Sequence, residues 1–193
     1  ERYQNALDFF NLGDYKKAIK GFKRHLDKFP NDKEIHALLG SSYYYLDNFQ
    51  KCIKESTEAL HFNRNIGFAY LYRGLSYFSE QNYSDSLNDI SAAIDLKLDE
   101  NFEIYSYDLS NALNSRASVY MELKEYKKAI LDLDFALEND SNNQDSYFSR
   151  ALVYIELEEY KKAILDFNHV IAIDSAHQHV YYERAKAYIK LHK

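Results

Sequence analysis

Apolar residues along the chain fall at helical spacing, and the pattern restarts at a fixed interval. Leu113, Ala117, Tyr120 and Leu123 form one stripe, and Tyr126, Ala129, Ile130 and Leu133 form another, each spaced as a single buried helix face requires. The blocks Asp14-Tyr15-Lys16-Lys17-Ala18-Ile19, Glu125-Tyr126-Lys127-Lys128-Ala129-Ile130 and Glu159-Tyr160-Lys161-Lys162-Ala163-Ile164 nearly repeat. Aligned on their aromatic, Tyr15, Phe49, Tyr83, Tyr126 and Tyr160 stand 34, 34, 43 and 34 residues apart, a period of 34 with one nine-residue insertion. A small residue recurs three positions later (Ala18, Cys52, Ser86, Ala129, Ala163) and another nine positions earlier (Ala6, Gly40, Gly74, Ala117, Ala151). Two helices are therefore predicted to approach closely in every unit. Bulky residues recur at Phe22, Ile90, Leu133 and Phe167, with Ser56 the soft exception, and at Phe9, Tyr43, Tyr77, Tyr120 and Tyr154. A helix pair this short cannot bury its apolar face alone, so stability must come from stacking on neighbours.

These features resemble the tetratricopeptide repeat family, whose 34-residue unit is a helix, a turn and an antiparallel helix. Tyr70-Leu71-Tyr72-Arg73-Gly74-Leu75-Ser76-Tyr77 and Ala163-Ile164-Leu165-Asp166-Phe167 are similar to its first- and second-helix signatures. The resemblance implies an all-α fold, a right-handed superhelical solenoid of antiparallel hairpins. One array then covers the chain: repeat 1 at 1–32, repeat 2 at 33–66, repeat 3 at 67–98, an insertion at 99–109, repeat 4 at 110–143, repeat 5 at 144–177, and at 178–193 the terminal helix of a sixth unit, matched through Tyr181, Ala185 and Tyr188. Only Pro30 keeps the family's terminal proline, and the later turns rely on Asn, Asp and Ser chemistry, as in Asn139-Asp140-Ser141-Asn142-Asn143. In the insertion, Phe102, Tyr105, Leu109, Ala112 and Leu113 continue helical spacing backwards, so a lengthened first helix is expected, with an irregular loop as the alternative.

Composition sharpens the fold class. Tyr and Phe number 19 and 12, whereas Gly at 5 and Pro at 1 are too few for the turns of a sandwich or barrel. No apolar run approaches the roughly 20 residues of a membrane span, so no membrane partner is expected. A net charge of −6 disfavours nucleic acid. The chain begins at Glu1 rather than Met and inside a first helix, which reads as a fragment of a larger protein; the compartment expected is the cytoplasm.

Charges also recur. Arg73, Arg116, Arg150 and Arg184 precede the small first-helix site, and Glu55, Asp89, Asp132 and Asp166 precede the bulky second-helix site. Pairing each acid with the arginine of the following unit (Glu55 with Arg73, Asp89 with Arg116, Asp132 with Arg150, Asp166 with Arg184) predicts bridges between stacked hairpins. Pairing within a unit would set Leu39 opposite Glu55 and leave Arg184 alone. Independent surface charges are the alternative.

Reactive constellations are not apparent. Cys52 occupies a small packing site and reads as a buried inert thiol. His177 and His179 are two apart and do not share a helix face as zinc ligands do. No phosphate-cradling glycine loop, nucleophile elbow or acidic calcium loop occurs, so no catalytic, cofactor or metal role is assigned and the chain is read as non-enzymatic. The resemblance implies that a concave wall of first helices presents side chains to a peptide. Carried onto this chain, it selects Phe10, Tyr44, Tyr45, Phe68, Leu71, Leu75 and Phe78, then the more polar Asn111 and Asn114, then Phe148, Leu152 and Tyr182. An apolar helix or aromatic-bearing peptide is the expected ligand; cover by the chain's own segments or by a second copy in a homo-oligomer stays open. The family's chaperone clamp, which holds a terminal carboxylate with Lys, Asn and Arg, would fall on Tyr3, Leu7, Leu38, Phe68 and Tyr72, and none matches. The function expected is a protein-interaction scaffold, with an auxiliary domain of a co-chaperone or of a multidomain enzyme as the alternative.

Overall fold

A computed structural model describes residues 3–98 and 108–192. Every regular element among them is helical. The chain forms two compact units. The first holds α1 (Gln4–Asn11), α2 (Tyr15–Leu26), α3 (Lys33–Tyr44), α4 (Phe49–Phe62), α5 (Gly67–Ser79) and α6 (Tyr83–Leu98); the second holds α7 (Leu109–Glu122), α8 (Tyr126–Asn139), α9 (Gln144–Glu156), α10 (Tyr160–Ile173) and α11 (Gln178–Leu191). Within each unit consecutive helices pair as hairpins, and each hairpin packs on the next.

The small residues sit where the helices cross. Ala18, Cys52, Ser86, Ala129 and Ala163 are fully buried, as are Phe22, Ile90, Leu133 and Phe167. A Cβ on Gly74 would lie 2.7 Å from Ile90 Cγ1, and one on Gly40 would lie 2.7 Å from Ser56 Oγ, so neither place has room for a larger residue. The outer aromatics are capped by lysine: Lys17 lies over Phe9, Lys51 over Tyr43, Lys128 over Tyr120 and Lys162 over Tyr154, at 5.1 to 5.4 Å from ring centre. This gives the second lysine of the repeated block a packing role.

Every hairpin turns in one way. The first helix ends in a left-handed residue, Gly13, Asp47, Gln81, Lys124 or Glu158, with φ between 55° and 76°. The next residue donates its backbone N–H to a carbonyl five positions back, as Asp14 does to Phe9 and Glu159 to Tyr154, both at 2.8 Å. That same residue opens the second helix, and Asp14 and Asn48 accept N–H bonds from Lys17 and Lys51 there. Between hairpins, Asn63, Asp140 and Asp174 accept from the backbone two residues on, the turn chemistry expected where proline is missing.

Two expectations need correction. Helix α7 starts at Leu109, with Asp108 extended and its carboxylate capping Ser110 N–H, so the first helix of the fourth repeat is not prolonged backwards through Asp108; Phe102 and Tyr105 lie outside the described residues. The arginine register is within hairpins, not between them. Arg73 grips Asp89, Arg116 grips Asp132 and Arg150 grips Asp166, each through Nε and Nη2 on both carboxylate oxygens. The third nitrogen reaches back to the preceding hairpin: Arg73 to Thr57, Arg150 to Asp134 and Arg184 to Asn168. Glu55, which faces no arginine in this register, is taken by His36 Nδ1 at 2.8 Å.

Candidate peptide-binding faces

In the first unit, α1, α3 and α5 carry the expected site residues, but the structure divides them by exposure. Phe68 and Leu71 are only 8% and 6% exposed and belong to the protein's own packing, because the neighbouring helices close over them. They are corrected from groove surface to core. Phe10, Tyr44, Leu75 and Phe78 are half-buried, whereas Tyr45 keeps 46% of its surface open.

Aromatic rings bind this face into one seam. Phe10 meets Tyr15 edge-on at 5.6 Å, Tyr15 stacks on Tyr45 at 4.4 Å, and Phe68 lies 4.7 Å from Tyr72. The Tyr45 and Tyr72 hydroxyls are 2.6 Å apart. Burial first, and the bond to Tyr45 second, push the Tyr72 phenol well above its usual range, so the pair is a neutral hydrogen bond at ordinary pH. Tyr15 and Tyr72 were not expected in the site. Tyr15 was readable as the repeat's anchor aromatic; Tyr72 was marked only as a place of the family's carboxylate clamp, which its side chain does not match.

The second unit presents a different chemistry on α7, α9 and α11. Asn111 is exposed. Asn114 is half-buried, and its side-chain Oδ1 lies out of contact with solvent and accepts no hydrogen bond from a described residue. Phe148 meets His177 and His179 at 5.4 and 5.6 Å, and His179 lies parallel to Tyr182, which is 62% exposed and carries the Lys186 ammonium over its ring. Leu152 is half-buried beside them. On α11, Tyr181, Ala185 and Tyr188 are exposed while Val180, Glu183 and Ala187 face the core.

Cys52 is buried, its thiol directed at the Tyr72 carbonyl at 3.4 Å, and burial pushes its pKa up to about 11. Among the described residues no group of His, Cys, Asp and Glu is placed to hold a metal, and no helix is long and apolar enough to cross a membrane.

Residues 110–143 and 144–177 each match the model of the tetratricopeptide repeat. Neutrophil cytosol factor 2 of Bos taurus is 25% identical over 138 residues, which cover 64% of this chain and 26% of that protein, so the chain spans about a quarter of the relative's length. The structure resembles that of Cut9 in the APC/C hetero-tetramer Cut9–Hcn1, with a TM-score of 0.84 at 18% identity over 94% of this chain and 35% of that one. It also resembles YrrB, a repeat protein with an unusual peptide-binding site, with a TM-score of 0.69 at 16% identity over 87% and 82% of the two chains. This fold generally mediates contacts between proteins, typically as a non-enzymatic scaffold. Two units of the chain, 110–143 and 144–177, thus match the tetratricopeptide repeat in sequence, and the stacked helical hairpins of the described residues share the fold of these solved structures.

Proposed function

We propose that this protein is an interaction scaffold whose first-helix faces each receive a peptide or helix of a partner protein. The observation that carries this reading is the aromatic seam of the first unit. Its lower rings are locked by one another, and Tyr45 stands on top with nearly half its surface open. A rigid aromatic with a polar tip is the side chain that anchors interfaces at low entropic cost. In the second unit the exposed Asn111 on α7 offers a backbone-bonding amide, and the exposed Tyr182 on α11 offers a ring. The peptide-binding site of YrrB and the assembly of Cut9 with Hcn1 are precedents on the same fold. A second reading, an auxiliary repeat domain of a co-chaperone or multidomain enzyme, is favoured by the match to only a quarter of a longer relative.

The test is selection of peptides from a displayed library on the intact chain, followed by calorimetry with the selected peptides. Tyr45→Ser and Phe78→Ser are expected to weaken binding by about tenfold or more with helicity intact. Phe68→Ser and Leu71→Ser are unsuitable, since they open cavities costing about 2 to 5 kcal/mol. Binding unchanged in Tyr45→Ser and Tyr182→Ser would move the site off these faces.

A further inference from the structure

Helix α2 departs from the charge of the rest of the chain. Residues 14–28 hold six Lys or Arg against two Asp, in a protein of net charge −6. Lys17, Lys20, Arg24 and Lys28 fall three or four residues apart on one stripe and border a cleft of about 740 Å³ between α1 and α2. Its floor is Ala6 and Gly21, and Phe9 and Phe29 give it apolar walls. Lys17 is held by Asp14, and Asp27 stands on the rim. Lys20, Arg24 and Lys28 are exposed and make no ion pair with any described residue. Helix-dipole complementarity accounts for Arg24 in the last turn, but not for Lys20.

The first hairpin also lacks the arginine–aspartate fastening of the third, fourth and fifth. Where later hairpins place Arg73 with Asp89, Arg116 with Asp132 and Arg150 with Asp166, this one has Asn5 and Gly21. Two of the three open cations are particular to it: the positions equivalent to Arg24 hold Glu58, Ala92, Phe135 and His169, and those equivalent to Lys28 hold Phe62, Leu96, Asn139 and Ile173. In later hairpins the second helix of the hairpin before packs on the first helix and brings an oxygen acceptor to its arginine: Thr57 to Arg73, Asp134 to Arg150, Asn168 to Arg184. On α1 and α2 no described residue does so.

We infer that the α1–α2 cleft is a docking site for an acidic amphipathic helix of a partner protein. Carboxylates on one stripe of that helix meet Lys20, Arg24 and Lys28, and apolar side chains on the adjoining stripe fill the space between Phe9 and Phe29. The apolar walls and concave shape set it apart from an open cationic surface suited to a phosphate backbone or a flat bilayer. The site is separate from the first-helix faces proposed above, and its failure leaves that reading untouched.

The test uses calorimetry on the whole chain with a synthetic helix of about four turns bearing Glu on one stripe and Leu on the next. Binding is expected to weaken by at least about tenfold in the triple variant Lys20→Glu, Arg24→Glu, Lys28→Glu, and to be lost when Gln replaces Glu in the peptide. The triple variant should instead take up the Lys version of the peptide. Tyr45→Ser should bind the Glu peptide as the parent does. Should the triple variant lose helicity, Lys20→Gln with Arg24→Gln replaces it, with the same direction expected. Equal binding of the Glu and Gln peptides, equal binding by the charge-altered variants, or tighter binding of a single-stranded oligonucleotide or phosphatidylserine vesicles than of the Glu peptide would overturn the inference.

Discussion

Arg150 and Asp166 are joined by two parallel bonds of 2.8 Å, Nε and Nη2 of the guanidinium each donating to one oxygen of the carboxylate. Their side chains are 19% and 6% exposed, so the pair is largely withdrawn from water. Nη1 of the same arginine reaches Asp134 on α8 at 2.6 Å. One side chain thus closes its own hairpin and ties it to the hairpin before, which couples local folding to the stacking that a repeat array depends on.

Replacing Arg150 with Met leaves Asp166 buried without a partner and is expected to destabilise the protein by about 2 to 4 kcal/mol in urea unfolding. A double-mutant cycle with Asp166→Asn should return a coupling of about 1 to 3 kcal/mol, and a cycle with Asp132→Asn a much smaller one. Arg150→Lys should recover only part of the loss, because an ammonium cannot make the forked contact. A cycle in which Asp132 couples as strongly as Asp166 would contradict this register.

How far the fold could be read beforehand depended on what each residue does physically. Ala18, Ala129 and Ala163 were legible because close helix approach demands low volume, and volume is written in the residue type. The arginine partners were not. Arg150 lies between acids on two second helices, and spacing along one dimension cannot say which of them shares its level. The within-hairpin choice looked wrong because it left Glu55 facing Leu39, and only the structure shows His36 reaching Glu55 instead. Among the candidate site residues, Phe68 and Phe78 have the same side chain, yet one is covered and the other half-open. Residue type records apolarity, and exposure is decided by neighbours. The rings of Tyr15 on α2, Tyr45 just past the end of α3 and Tyr72 on α5 come together from separate parts of the chain, so no local pattern announced the seam.

The left-handed turn residues offer a route to added stability. Lys124 and Glu158 both hold φ at 58°, a conformation that crowds a Cβ and that Gly13 occupies freely at 76° in the first hairpin. Lys124→Gly and Glu158→Gly are each expected to stabilise by about 0.5 to 1 kcal/mol, whereas Gly13→Ala should destabilise by about 1 kcal/mol. Midpoints of urea unfolding measure all three. A loss of stability in both glycine variants would mean that the lysine and glutamate contacts outweigh the backbone gain.

Cys52 should be chemically silent until the protein opens. Burial raises its pKa to about 11, so at pH 8 only about one thiol in a thousand is ionised, and no path from solvent reaches it. Alkylation by iodoacetamide is expected to follow the unfolding transition, not to precede it. Because the equivalent residues are Ala18, Ser86, Ala129 and Ala163, Cys52→Ala should cost no more than about 1 kcal/mol. Rapid modification under native conditions would show that α3, α4 and α5 separate locally.

His36 gives stability a dependence on pH. Its Nδ1 lies 2.8 Å from Glu55 Oε2 and its Nε2 lies 2.8 Å from the Pro30 carbonyl. Both neighbours are acceptors, so both bonds exist together only when the ring carries two protons. Burial pulls the imidazole pKa down, but the Glu55 carboxylate and the Pro30 carbonyl, with Glu58 adding to them, outweigh it and hold the value above the ordinary 6.5. The proton is therefore bound more tightly in the folded state than in the unfolded chain. The stabilisation is fully present below the unfolded value near 6.5 and fades as pH rises through the higher folded value. Urea midpoints for the parent should fall across that window, and those for His36→Asn should change less. In Glu55→Gln the folded-state titration, followed by the ring-proton NMR shift of His36, should move down toward or below 6.5, since burial then acts with less opposition. A parent protein whose His36 resonance titrates below 6.5 would show that burial, and not the carboxylate, governs the ring.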